Sequence, residues 1–126
     1  MSTSSLPMQV ALAYHRAWTS HDMDAAMEYV AEDVLCDAPP GRLTGAAALR
    51  GFMGPFATTL TSSELLGAYG DESSAVLIYD TGNPAVASAP AAELYRVRDG
   101  RIIALRIIFD RLPFALARGE VLPRTP

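Results

Sequence analysis

Glu93 stands in the run Ala91-Ala92-Glu93-Leu94-Tyr95-Arg96-Val97, and the alternation of that run predicts which way its carboxyl points. Successive side chains of a strand face opposite sides, so Glu93, Tyr95 and Val97 share one face and Leu94, Arg96 and Arg98 the other. Arginines belong in solvent, which turns Glu93 inward among apolar neighbours. A carboxyl there loses its solvation, keeps its proton to higher pH and can serve as an acid or a base near neutrality. The other reading is a rim carboxylate paired with an arginine across the strands. Tyr14 lies on an apolar helical stripe one turn before Trp18, where a phenol is either packing or in need of a hydrogen-bond partner. Asp37 precedes Ala38-Pro39-Pro40, a setting that suits a turn-forming aspartate. Asp80, Arg106 and Asp110 make a further set. Arg106 and Asp110 stand about 13 Å apart on an extended strand at roughly 3.3 Å per residue. That spacing fits a structural pair or an interface contact better than a joint site, although Asp110 at the strand end is within reach of a cavity mouth. His15 falls off the main helical stripe and His21 sits at a helix C-terminus, so structural or solvated roles are expected for both. Cys36 reads as a small buried apolar residue.

These residues need a scaffold, and the spacing of apolar positions supplies one. Val10, Ala11, Tyr14, Ala17 and Trp18 predict an amphipathic helix over Met8–Ser20. Asp22 reads as the N-cap of a short second helix through Val30. Ala31-Glu32-Asp33 is expected to turn, and Val34–Ala38 to form a short strand stopped by Pro39-Pro40-Gly41. A third helix opens at Thr44 or Gly45 and carries Leu49, Phe52, Met53 and Phe56 on its apolar side. Four strands then follow, at Ser63–Tyr69, Ser74–Thr81, Ala85–Arg98 and Arg101–Asp110. Asp99-Gly100 between two alternating runs is the strongest hairpin signal. On the last strand Ile103, Leu105, Ile107 and Phe109 form the better cavity wall, leaving Ile102, Ala104 and Ile108 on the face with Arg106 and Asp110. The order gives an α+β class: a curved, mostly antiparallel sheet wrapped as a cone-shaped barrel around three N-terminal helices.

Composition excludes several functions. The 126 residues suit one domain spanning 1–126, with residues 1–7 as a flexible lead and 112–126 as a surface tail. Half of the residues are hydrophobic, which excludes a disordered chain. Ten basic residues, all arginine, stand against 14 acids for a formal charge of -4, so there is no basic footprint for nucleic acid or an anionic membrane surface. No apolar run approaches the ~20 residues of a membrane span, and the first residues lack a signal-peptide pattern. A cytoplasmic location is the expectation. There is no dinucleotide fingerprint, no glycine-rich phosphate loop and no zinc spacing, so no cofactor and no metal are expected.

Several of these motifs together resemble the nuclear transport factor 2-like superfamily, in its SnoaL-like and ketosteroid-isomerase-like branches. They are the helix–Asp22-Met23-Asp24–helix start, Glu32-Asp33-Val34, Pro39-Pro40-Gly41 with Gly45, and the ending Val97-Arg98-Asp99-Gly100-Arg101-Ile102-Ile103 through Ile108-Phe109-Asp110. The resemblance runs from about Met8 to Phe114. It implies a cone with a small-molecule pocket and a homodimer paired through the outer face of the sheet. Superfamily members include isomerases, polyketide cyclases, dehydratases, epoxide hydrolases and non-catalytic modules, so fold does not choose among them. By the resemblance, Tyr14 matches the isomerase tyrosine that donates to the substrate oxygen, and Glu93 the strand acid that donates beside it. Asp37 stands one residue before the place of the isomerase base, which is Ala38 here. A one-residue shift flips a strand side chain, so either a bulge restores Asp37 to the cavity or that base is missing. Met53 stands where the isomerase has a supporting tyrosine. Epoxide hydrolases of this fold use an Asp–Arg–Asp set, for which Asp80, Asp110 and Arg106 are the ingredients. Trp18, Phe52, Met53, Phe56, Tyr79, Tyr95, Leu105 and Phe109 are expected around the pocket and suit a small apolar ligand. The function expected is cofactor-independent acid/base work on a hydrophobic carbonyl compound. Asp37, Glu93, Tyr14 and Asp110 are the catalytic candidates. A non-catalytic ligand-binding or accessory domain is the alternative.

Overall fold

A computed structural model of the chain describes residues 5–120. Helix α1 (Leu6–Thr19) begins where Ser5 accepts from the Met8 amide at 3.1 Å and Pro7 occupies the first turn, a position that needs no donor. Leu6 and Pro7 are therefore helical rather than part of a lead, and residues 1–4 lie outside the described residues. Asp22 caps α2 (Met23–Met27) through the Ala25 amide. That helix stops before Val30, because Val30–Ala38 is one strand, β1, which takes in the expected turn at 31–33. Its register against β6 (Arg101–Phe109) slips between Val30 and Leu35. Strand β2 (Gly41–Thr44) returns from Pro39-Pro40 to pair with β1 and had no clear signal of its own. Helix α3 (Ala46–Thr59) follows, and then β3 (Ser62–Gly70), β4 (Ser74–Gly82) and β5 (Ala91–Arg98).

The sheet runs in the order β2-β1-β6-β5-β4-β3, antiparallel except where β1 lies parallel to β6. It curves around the helices as an α+β cone. Asp99 and Gly100 both have positive φ, 53° and 75°, the two-residue turn that matches the twist of β5 into β6. Strand β5 starts at Ala91 and not at Ala85. Asn83 Oδ1 accepts from the Ala85 and Val86 amides instead, and that turn folds residues 83–89 back over β4. Gly82 permits this approach, since a Cβ there would lie 2.6 Å from the Ala87 carbonyl oxygen. Ala89 N donates to Thr81 O at 2.9 Å and closes the segment.

The inner face of the sheet and the apolar sides of α1 and α3 make one core around Trp18, Tyr14, Leu49, Leu77 and Ile102. Ile102 was expected to face outward. Val97 pairs with Ile102 and Arg96 with Ala104, so Ile103 is an extra residue that turns the first part of β6 over. Ile102, Leu105 and Ile107 thus point inward together. Beyond β6 the expected surface tail begins as helix α4 (Leu112–Ala117), and residues 121–126 lie outside the described residues. Among the described residues no helix is long and apolar enough to cross a membrane.

Candidate functional site

A cavity of about 530 Å³ opens between α3, the inner sheet and α4. Its floor is buried and consists of Met53, Tyr79, Thr81, Ala89 and Ile107. Phe52, Phe56, Phe109 and Phe114 form its half-buried walls, and Arg111, Arg118 and Glu120 stand exposed on its rim. The walls are aromatic because α3 sets Phe52 and Phe56 four residues apart on one face, while α4 folds Phe114 back between Phe56 and Phe109. Ring centroids of Phe114 lie 6.1 Å from Phe56 and 5.5 Å from Phe109. Phe52, Met53, Phe56, Tyr79 and Phe109 thus stand where they were expected. Trp18, Tyr95 and Leu105 do not line the cavity; they are buried in the core behind it. Ile107 lines the cavity from the strand face that alternation predicts. Phe114 and Arg111 escaped the sequence reading because a segment with prolines gave no sign of a helix turning back over the cone.

Glu93 is fully buried beneath this floor. Tyr79 donates a short hydrogen bond to its Oε2, and Tyr95 donates to its Oε1 at 2.7 Å. Tyr79 is the link between the two places: its side chain lines the cavity and its hydroxyl reaches the buried carboxyl. Register explains the meeting, since Leu77 pairs with Glu93 and Tyr79 with Ala91 on adjacent strands, which sets Tyr79 diagonally across from Glu93 on one face. Burial raises the carboxyl above the ordinary glutamate range, and the two phenol hydrogen bonds pull it part of the way back. Tyr79, Tyr95 and Tyr14 are all held well above the usual phenol value, first by burial and then by the Glu93 charge. The edge of Tyr14 meets the Tyr95 ring, with centroids 6.0 Å apart, and its hydroxyl is buried with no hydrogen-bond partner among the described residues. Tyr14 therefore belongs to the second layer behind the cavity and is not one of its lining residues.

His15 is also buried, against the expectation of a side chain off the apolar stripe. Its ring packs on Trp18 at 5.1 Å and on Tyr79 at 4.7 Å. Burial, with Arg16 repelling a second charge, lowers its pKa to about 4. Cys36 is buried as expected, and burial beside Glu93 and Asp37 pushes its thiol up to about 12, so it is no nucleophile at neutral pH.

The remaining acids lie elsewhere. Asp37 was expected to reach the cavity if a bulge turned it inward. Cys36 takes the inner face instead, and Asp37 points outward with 31% of its side chain exposed. There Arg42 donates to both carboxylate oxygens, at 2.8 and 3.2 Å, and Arg106 lies 3.4 Å away. The hydrogen bond from Arg42 holds Asp37 below the usual aspartate range. Asp80 accepts from Ser88 and from the Ala89 amide, which pins the 83–89 segment. Asp110 accepts from the Leu112 amide at the start of α4. Asp80, Arg106 and Asp110 are thus not brought together, which leaves no Asp–Arg–Asp site. His21 stands at the end of α1 with a φ of 69°. Among the described residues no three His, Cys, Asp or Glu side chains gather to hold a metal.

Residues 11–105 match the family model of the SnoaL-like domain. A crystal structure of a protein from Kribbella flavida DSM 17836 is 54% identical, over 94% of this chain and 97% of its own, with a TM-score of 0.88. An NTF2-like protein of unknown function from Cytophaga hutchinsonii ATCC 33406 is 21% identical over 90% of this chain and 98% of its own, with a TM-score of 0.76. A candidate polyketide cyclase from Sinorhizobium meliloti is 20% identical over 79% of this chain and 94% of its own, with a TM-score of 0.70. The last two share the fold. No curated protein matches the chain.

Proposed function

The chain belongs to the SnoaL-like domain family, and from that premise we propose that it binds a flat, apolar carbonyl compound and polarises the carbonyl through Tyr79, backed by Glu93. The observation that carries this is the hydrogen bond from a cavity-lining phenol to a fully buried carboxyl. A neutral Glu93 has one proton to donate. Given to the Tyr79 oxygen, it frees the phenol proton to turn toward a ligand oxygen in the cavity. An ionised Glu93 accepts from both phenols and holds that proton back. Burial favours the neutral form, and so it favours a donor aimed at the ligand. A carbonyl polarised in this way has a more acidic C–H beside it, the first step shared by isomerisation, cyclisation and dehydration. Tyr14, expected to touch the ligand, becomes a support for Tyr95 in this reading.

Binding without turnover is the second reading, favoured by the placing of the bases. Asp37 is held outside by Arg42, and Glu120, the carboxylate among the lining residues, is engaged by Arg118. Both readings share the polarised carbonyl, which the infrared spectrum of a bound ketone tests. The carbonyl stretch of 9-fluorenone is expected to move to lower frequency on binding the wild type. In Tyr79→Phe the ketone still binds, weakened by about two- to tenfold as for one neutral hydrogen bond, but the downshift is gone. Equal frequencies in the two proteins would remove Tyr79 from the mechanism.

Pairing with a second copy is proposed through the outer sheet. Ile78, Ala92 and Ile108 form a row across β4, β5 and β6, with exposed Leu94 beside it. Such a contiguous apolar row is costly in water. Ile108→Arg is expected to turn a dimer into a monomer by sedimentation, while an unchanged mass would remove this face as the interface.

A further inference from the structure

The rim of the cavity has an uneven charge. Arg118 is already satisfied, since its Nε and Nη2 donate to the two carboxylate oxygens of Glu120 at 2.7 and 3.2 Å. Arg111 lines the same rim, and among the described residues its guanidinium has no hydrogen bond and no ion pair, although its charge acts on Glu120 from a distance. The neighbouring acid Asp110 accepts from the Leu112 amide and is not among the residues that line the cavity, although it keeps its charge. Below the rim the walls are aromatic, and the polar side chains beside them, Thr59, Thr81 and Asn83, carry no charge. Among the described residues the rim thus holds two guanidinium groups against one carboxylate, and the hydrogen-bond donors of Arg111 remain open to a ligand at the mouth of a largely apolar chamber, in a chain whose formal charge is -4.

We infer that the ligand carries an anionic group, a carboxylate, at the end opposite its buried carbonyl, and that Arg111 at the mouth receives it. This rests on the reading of the cavity given above and narrows it to a substrate class: a flat apolar carbonyl acid. The guanidinium fork matches a carboxylate in geometry, and its contact with an anion at the half-wet rim selects for charge without the penalty of burying it. The apolar body enters the chamber while the charged end remains at the water boundary. An apolar ketone without the acid is held only by the walls and by Tyr79.

The test compares 9-fluorenone-4-carboxylate with 9-fluorenone-4-carboxamide by calorimetry, in the wild type and in Arg111→Met. The carboxylate is expected to bind the wild type about tenfold more tightly than the amide, as for a charged hydrogen bond partly screened by water. Raised salt narrows that gap. Arg111→Met is expected to bring the ratio close to one by weakening the carboxylate alone. A ratio near one in the wild type, or a preference that survives in Arg111→Met, overturns the inference and leaves the cavity reading standing. Binding of neither compound to the wild type overturns both.

Discussion

Glu93→Ala is expected to remove roughly 3–6 kcal/mol of folding stability, measured by urea unfolding at neutral pH, whereas Glu93→Gln stays within about 1 kcal/mol of the wild type. The difference lies in what each leaves behind. Alanine strips the partners from Tyr79 and Tyr95, whose hydroxyls both end on the carboxyl, and opens a void in the core. Each buried donor left without an acceptor costs about 1–3 kcal/mol, and the void adds a packing loss. Glutamine fills the same space. Its carbonyl oxygen accepts from one phenol, and its amide donates to the oxygen of the other. It also has no charge to lose, so it reproduces the neutral glutamic acid. A domain of this kind has about 5–15 kcal/mol in total, so the alanine variant is marginal. A loss for Glu93→Ala as small as that of a surface substitution would mean that water reaches the carboxyl, and the donor assigned to Tyr79 would lose its backing.

The inward face of Glu93 was legible in the sequence because β5 is regular: Glu93 and Tyr95 are buried while Leu94, Arg96 and Arg98 are exposed, as alternation requires. The Asp99-Gly100 turn was legible for the same reason, its conformation being a local property of two residues. Alternation failed where the backbone inserts a residue. The bulge at Ile103 reverses Ile102, and no side-chain pattern in Arg101–Phe109 announces it, since isoleucine is acceptable on either face. Asp37 hinged on a similar slip. β1 has one between Val30 and Leu35, but residues 35–38 pair regularly with β2 and residues 35–37 with β6, and so Asp37 stays outside. Tyr79 was visible as a wall residue but not as the partner of Glu93, because that contact depends on the register between strands 14 residues apart in sequence. His15 keeps the structural role expected of it but lies on the stripe and not off it, because the apolar face of α1 is wider than Val10, Ala11, Tyr14, Ala17 and Trp18: the helix packs against β4 as well as β5, and its buried arc includes the residue after Tyr14.

His15 and Glu93 should give the stability of this protein two opposed pH limbs. The imidazole is neutral in the folded chain down to about pH 4, whereas in the unfolded chain it takes up a proton near its ordinary value of 6.5. Between those values the unfolded state binds more protons, so stability falls as the solution is acidified, by about 3 kcal/mol if the whole window is crossed. The groups that face the ring account for this direction. Trp18 and Tyr79 offer no charge to an imidazolium, and Arg16 repels one. Glu93 acts in the other sense. Its folded carboxyl keeps a proton that the unfolded chain releases above its ordinary value of 4.5, so the contribution of the neutral form is lost as pH rises from there through the raised folded value. Asp37 and Asp71, held below their ordinary 3.8, lose their stabilisation under the histidine window, and Glu120, held below its ordinary 4.5, begins to lose its own at the acidic edge of that window. Urea unfolding between pH 4 and 7 separates the two limbs. His15→Leu is expected to abolish most of the loss on the acidic side, and Glu93→Gln the decline on the other. The same order follows for the ligand, because protonated His15 against the Tyr79 ring disturbs the phenol that the carbonyl needs. An acid limb that persists unchanged in His15→Leu would show that the imidazole is already hydrated and that Tyr79 is held by Glu93 alone.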